Sequence, residues 1–158
     1  MATRVRVEGL RELERALAEL PKATARNVLR RTITEAAQPL IADAKKLAPD
    51  RPGKPPNDLA NSITISSRLN RQQRKESRGD PKSFVEMYVG PDVSVPHPHG
   101  HWQEFGTVQH APQPFMRPAW DANKNVVLEK IKDELGTQIT KAAQRLARKA
   151  ARQAARGG

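Results

Sequence analysis

The residues best suited to chemistry lie close together. His97, His99 and His101 alternate along HPHGH, His110 follows, and Glu104 falls between them. Alternating imidazoles on an extended segment can face one side, and imidazole is a common ligand for zinc, copper or nickel. No cysteine exists in the chain, and no nearby carboxylate completes a standard ligand spacing. Pro98 and Gly100 would also splay the rings, so a solvated loop is the preferred reading over a metal centre. Glu104 has the chemistry of a general base, but catalysis needs a second titrating group, a nucleophile or an oxyanion donor at a defined spacing. The motifs GxSxG, HExxH, GxxxxGK[ST] and GxGxxG are all absent. Glu104 is therefore expected to pair with an arginine such as Arg117 at a bend capped by Gly106. Neither an enzyme nor a bound cofactor is expected.

What must position these residues is the stretch from His97 to Asp121. It holds both Trp, two of the three Phe and all four His of a chain that is only 4% aromatic. Large apolar side chains this scarce are concentrated where packing is decided. The prolines and glycines among them fix backbone direction, which predicts a rigid, shaped loop.

The rest of the chain reads as follows. Residues 4–8 alternate as a short strand; Leu10, Leu13, Leu17 and Leu20 then mark an amphipathic helix ending near Pro21. A second helical face runs from Ala25 through Val28, Leu29, Ile33, Ala36, Ala37, Leu40 and Ile41 to Ala44. Pro39 inside it predicts a kink, or a break just before it. Residues 50–57 (DRPGKPPN) are a loop. Residues 59–69 and 84–90 read as two strands, paired antiparallel across a mobile basic loop at about 70–82. After the central stretch, Trp120, Val127, Ile131, Leu135, Ile139 and Leu146 trace a long helix interrupted only by Gly136. The expected class is α+β: a small antiparallel sheet packed against an N-terminal helix pair and a long C-terminal helix. Residues 1–140 would form one domain, and 141–158 a basic, alanine-rich helical tail.

Composition narrows the partners. The 158 residues carry a formal charge of +11, with an isoelectric point near 10.6 and a mean hydropathy of −0.73. So lean a chain often completes its burial by association. The absence of cysteine fits a reducing cytosol or a particle assembled there. No apolar run approaches a membrane span and the start lacks a signal-like apolar region, so a soluble, non-exported protein is expected. Arg68, Arg71, Arg74, Lys75, Arg78 and Lys82 form one basic cluster and the tail forms another. Without interleaved aromatics they offer at most non-specific phosphate contact, or docking onto an acidic neighbour.

Two motifs carry a resemblance. Glu104-Phe105-Gly106-Thr107, followed by Pro112-Gln113-Pro114-Phe115-Met116-Arg117-Pro118-Ala119, resembles the signature of a tailed-phage neck family. These are the tail-completion or head–tail joining proteins of lambdoid siphophages and related prophages. Gly9-Leu10 with Leu13 and Leu17 resembles that family's opening, and Ala44-Lys45 with Ala48-Pro49 the end of its long helix. Leu59 with Ser62-Ile63, and Val89-Gly90, resemble its two strands. The resemblance covers roughly residues 5–135. It departs just before EFGT, where HPHGHWQ stands in place of a Tyr-containing segment.

The resemblance implies helices on an antiparallel sheet and a ring of identical subunits between portal and tail. Such a ring contacts head-closure or connector proteins and tail proteins, leaves a channel for DNA, and is assembled in the host cytoplasm into the virion. On this reading Phe105, Phe115, Met116 and Trp120 anchor the loop against sheet and helix while Arg117 holds Glu104. Trp102 and the His cluster face neighbours. The alternative is a basic, non-specific DNA-binding accessory protein, with the basic cluster and Trp102 as its candidate contacts.

Overall fold

The structure, a computed structural model, describes residues 10–49, 58–69, 75, 84–92 and 99–156. Helix α1 (Leu10–Ala18) is followed by α2 (Lys22–Ala36) and α3 (Gln38–Leu47). The break between α2 and α3 falls at Ala37 (φ −79°, ψ −5°), with Pro39 second in the new helix. There its missing N–H is an orphan position anyway, so proline begins a helix it could not have continued.

A short helix α4 (Asp58–Ser62) leads directly into β1 (Ile63–Ser66), which pairs antiparallel with β2 (Tyr88–Pro91). The register sets Ile63 opposite Pro91 and Ile65 opposite Val89. Both strands are shorter than their sequence patterns predict. At residues 59–62 the difference has a clear cause. Leu59, Ala60, Ser62 and Ile63 are all buried, a helical rather than alternating spacing, and Ser62 Oγ donates to the Leu59 carbonyl. The predicted strand at residues 4–8 and all of the predicted basic loop except Lys75 lie outside the described residues.

Helix α5 (His99–Phe105) and helix α6 (Met116–Arg156) flank a turn. The central stretch is thus two helix ends around a tight connection, not one continuous loop. Helix α6 spans 41 residues, about 60 Å at 1.5 Å per residue, and it is the spine of the molecule. Its first half packs Ala119 and Val127, with Phe115 just before the helix, against Leu40, Ile41 and Ala44 of α3 and against Leu59 and Ile63. Its middle packs Leu135, Ile139 and Ala142 against Leu20, Ala25 and Val28, with Leu13 and Leu17 of α1 alongside. Gly136 does not interrupt it. One glycine in a helix interior costs only about 1 kcal/mol, less than the packing on either side contributes. The architecture is α+β, with a two-stranded antiparallel sheet, N-terminal helices and a long C-terminal helix.

Beyond the last packed turn no other described element covers the helix. Leu146 is half-buried, and every residue from Ala147 to Arg156 is exposed. No helix among the described residues is long and apolar enough to cross a membrane.

Candidate functional site

The connection between α5 and α6 is built on one buried carboxylate. Helix α6 begins without a capping residue of its own, because Pro112, Gln113, Pro114 and Phe115 include no Ser, Thr, Asp or Asn next to its start. Glu104, near the end of α5, supplies the cap through space. Its Oε2 accepts the backbone N–H groups of Phe115 (2.8 Å) and Met116 (2.9 Å). Its Oε1 accepts the N–H of Arg117 (3.1 Å) and that residue's Nε (2.9 Å). Arg117 Nη2 donates in turn to the Glu104 carbonyl at 2.8 Å.

The next residue, Pro118, has no N–H to satisfy, and Ala119 N–H opens the helical ladder by donating to the Phe115 carbonyl. Every donor at the start of α6 is therefore accounted for. This is the physical content of the paired sequence motifs. EFGT provides the carboxylate, and PFMRPA provides three N–H groups, one guanidinium and a proline where a fourth N–H would be left over.

Electrostatics agree with the geometry. Burial pushes the Glu104 carboxyl up, but the N–H groups of Phe115 and Met116, with both donors of Arg117, more than offset it and hold it below its usual value. A carboxylate kept ionised with its lone pairs engaged is a structural anion at a positive helix end. It is poorly placed to take a proton from a substrate.

Gly106 turns the chain away from α5. It sits at φ +74°, its N–H donates to the Trp102 carbonyl, and a Cβ there would lie 2.9 Å from the His110 carbonyl oxygen and from Pro112. Thr107 and His110 then close a tight turn through paired backbone hydrogen bonds, with Val108 fully exposed at its tip. The N–H of Gln113 donates to the Gln103 carbonyl at 2.7 Å and ties the returning chain back to α5.

Phe115 is the apolar anchor, at 1% exposure, and Met116 is half-buried beside it. Phe105 and Trp120, expected as further anchors, are not: they are 57% and 51% exposed. The buried face of α6 advances four residues at a time through Ala119, Asn123 and Val127, which leaves Trp120 one step round the helix. Phe105 lies outside the clamp, its ring 5.0 Å from the Arg117 guanidinium and 4.8 Å from the His101 ring. Trp102 is also exposed. Beside this surface an open, mainly apolar groove of about 600 Å³ is lined by Leu40, Met87, Val89, Met116 and Trp120, among others.

The remaining sequence-predicted residues divide as follows. Thr107, Pro112, Pro114, Arg117 and Pro118 are exposed around the turn, whereas Ala119 is fully buried. Arg68 and Lys75 are exposed, and Arg71, Arg74, Arg78 and Lys82 lie outside the described residues. Among the described residues, no three of His, Cys, Asp and Glu gather as a ligand set; His97 is outside them.

Sequence reasoning passed over Asn123. It is buried on α6, and its Nδ2 donates to Asp43 Oδ2 (2.8 Å) on α3 and to the Ala119 carbonyl (3.0 Å). With Lys46, it holds the Asp43 carboxyl below its usual range. Its position four residues after Ala119, on the core face, was the available signal.

The profile of the phage family described as "Bacteriophage HK97-gp10, putative tail-component" matches residues 11–106. The chain belongs to the HK97-gp10-like family. The matched span runs from α1 through the end of α5 and includes Glu104 and Gly106, while the groups clamped by Glu104 lie just beyond it. No curated protein and no solved structure matches the chain. Membership makes this protein a bacteriophage tail component, with the virion location and virion-protein neighbours that this implies.

Proposed function

We propose that this HK97-gp10-like protein is a ring-forming neck or tail-completion component, joining phage head to tail around a channel for DNA. The observation that carries the reading is the clamped connection of a tail-component family member. A buried carboxylate locks the turn from Gly106 to Pro114, and the turn presents Val108, with Phe105 and Trp102 nearby, to solvent. A preformed surface loses little conformational entropy when neighbours dock on it. Repetition of one such contact closes a ring when the rotation between neighbours divides a full turn evenly and involves no rise. The apolar groove beside the clamp gives a neighbour a complementary recess.

The role asks for binding rather than catalysis. Glu104, the one strongly buried carboxylate of the site, is engaged in holding the helix start. Electron microscopy of purified particles tests the reading. Copies of the chain arranged as a closed ring at the head–tail junction are expected, and deletion should leave heads without tails. Finding the protein elsewhere in the particle, or normal tailed particles without it, would contradict the proposal.

A further inference from the structure

The exposed end of α6 has a one-sided charge. Between Lys141 and Arg156 the helix carries Lys141, Arg145, Arg148, Lys149, Arg152 and Arg156, and no acid. At 3.6 residues per turn, all six project within an arc of about 100°, and at 1.5 Å per residue they span about 22 Å. All six are exposed, and none has an ion-pair partner among the described residues. The opposite face is alanine, including Ala147, Ala150, Ala151 and Ala154. Six unpaired like charges on one side of a helix repel one another, so the arrangement is suited to a matching row of negative charge.

We infer that this arm binds duplex DNA, lying with its cationic face along one phosphate ridge. Successive phosphates of one DNA strand form an unbroken ridge of negative charge, and a cationic row of this length meets several of them. An arc this narrow suits one ridge; a helix seated deep in a groove would need cations on both flanks. No aromatic lies in the arm to stack on bases, so contact is to phosphate and independent of sequence. A second copy of the chain is a poor match. Its acids alternate with cations, as in α1, where Arg11 and Arg15 flank Glu12 and Glu14, and in Glu129-Lys130 and Lys132-Asp133 of α6. A lipid surface is also a poor match, because Leu146 is the only large apolar side chain of the arm. Contact of this kind lets DNA slide, which suits a component of a DNA conduit, although the inference does not depend on ring formation.

The test is a salt titration of the full chain on a short duplex of mixed sequence, read by fluorescence anisotropy. Replacing Arg145, Arg148, Lys149 and Arg152 together by Gln should make the slope of log affinity against log salt shallower by about 4, near 0.9 per cation. A second variant keeps the net charge and moves two cations to the alanine face: Arg145→Ala, Ala147→Arg, Arg152→Ala and Ala154→Arg. It should lose about 2 units of slope. All these residues are good helix formers, so far-UV circular dichroism should match the parent and exclude unfolding. An unchanged slope in the Gln variant, or parental binding by the charge-swapped variant, overturns the inference. Tighter binding of polyglutamate than of the duplex, compared at equal charge concentration and equal salt, also overturns it, in favour of an acidic protein partner. None of these results bears on where the protein sits in the particle.

Discussion

Glu104 and Phe115 stand eleven positions apart and are joined by a 2.8 Å hydrogen bond from the Phe115 backbone N–H to Glu104 Oε2. That bond, with its neighbours to Met116 and Arg117, makes the end of one helix the cap of the next. The partners are unequal, because the Glu104 side chain is almost wholly buried while that of Arg117 is 59% exposed. Replacing Glu104 by Ala leaves three N–H groups without their acceptor and should lower stability by roughly 3–5 kcal/mol. Replacing Arg117 by Ala removes a solvent-screened partner and should lower it by about 1 kcal/mol or less. Urea unfolding of the two variants checks the order, and equal losses would show that the ion pair, not the cap, matters.

Acid should loosen the clamp. Glu104 titrates below its ordinary value of 4.5 in the folded protein. The unfolded chain therefore binds the proton first as pH falls. The resulting stability is fully present above about 4.5 and is lost as pH drops from there through the folded value. Asp43, lowered from 3.8 by Asn123 and then Lys46, acts in the same direction at lower pH. The parent's melting temperature should fall across this window. Glu104→Gln should begin lower and fall less steeply, since other carboxylates still titrate. Parallel curves would contradict the assignment.

Two glycines should respond in opposite directions to alanine. Gly106 is at φ +74° with no room for a Cβ, so Gly106→Ala should cost roughly 1–3 kcal/mol. At Gly136 a Cβ would meet only Leu13 Cδ2 at 3.5 Å, an ordinary contact within a helix. Gly136→Ala should therefore stabilise by up to about 1 kcal/mol. Thermal unfolding of the two variants reads both signs.

Phe115 and Phe105 are a second contrasting pair. Phe115→Ala empties a fully enclosed site and should cost roughly 3–5 kcal/mol. Phe105→Ala removes a ring resting on the exposed Arg117 guanidinium and should cost about 1 kcal/mol. A large loss at Phe105 measured by chemical denaturation would mean that its ring is covered in the monomer.

Much of this was legible in the sequence. The leucine spacing marked α1, Pro39 marked the α2–α3 break, and the four-residue recurrence marked α6. The concentration of aromatics and prolines pointed to the right stretch, and the nearness of EFGT to PFMRPA suggested a bond between Glu104 and Arg117. What could not be read was which side of each residue faced inward. Phe105 and Phe115 are chemically alike, and only the three-dimensional path of the turn decides that one is core and the other surface. The backbone N–H groups that share Glu104 are likewise invisible, since every residue but proline carries one. The turn of helix at Asp58–Ser62 was hidden because Leu59 with the Ser, Thr and Ile that follow suggests alternation.

The proposed role rests on the clamped turn presenting a surface to other virion proteins. Val108, fully exposed at its tip, is the residue to change. In the phage that carries this gene, Val108→Asp should leave the stability of the purified protein within about 0.5 kcal/mol of the parent while sharply reducing the yield of tailed, infectious particles. Normal particle yield with Val108→Asp, alone and combined with Phe105→Asp, would contradict that role.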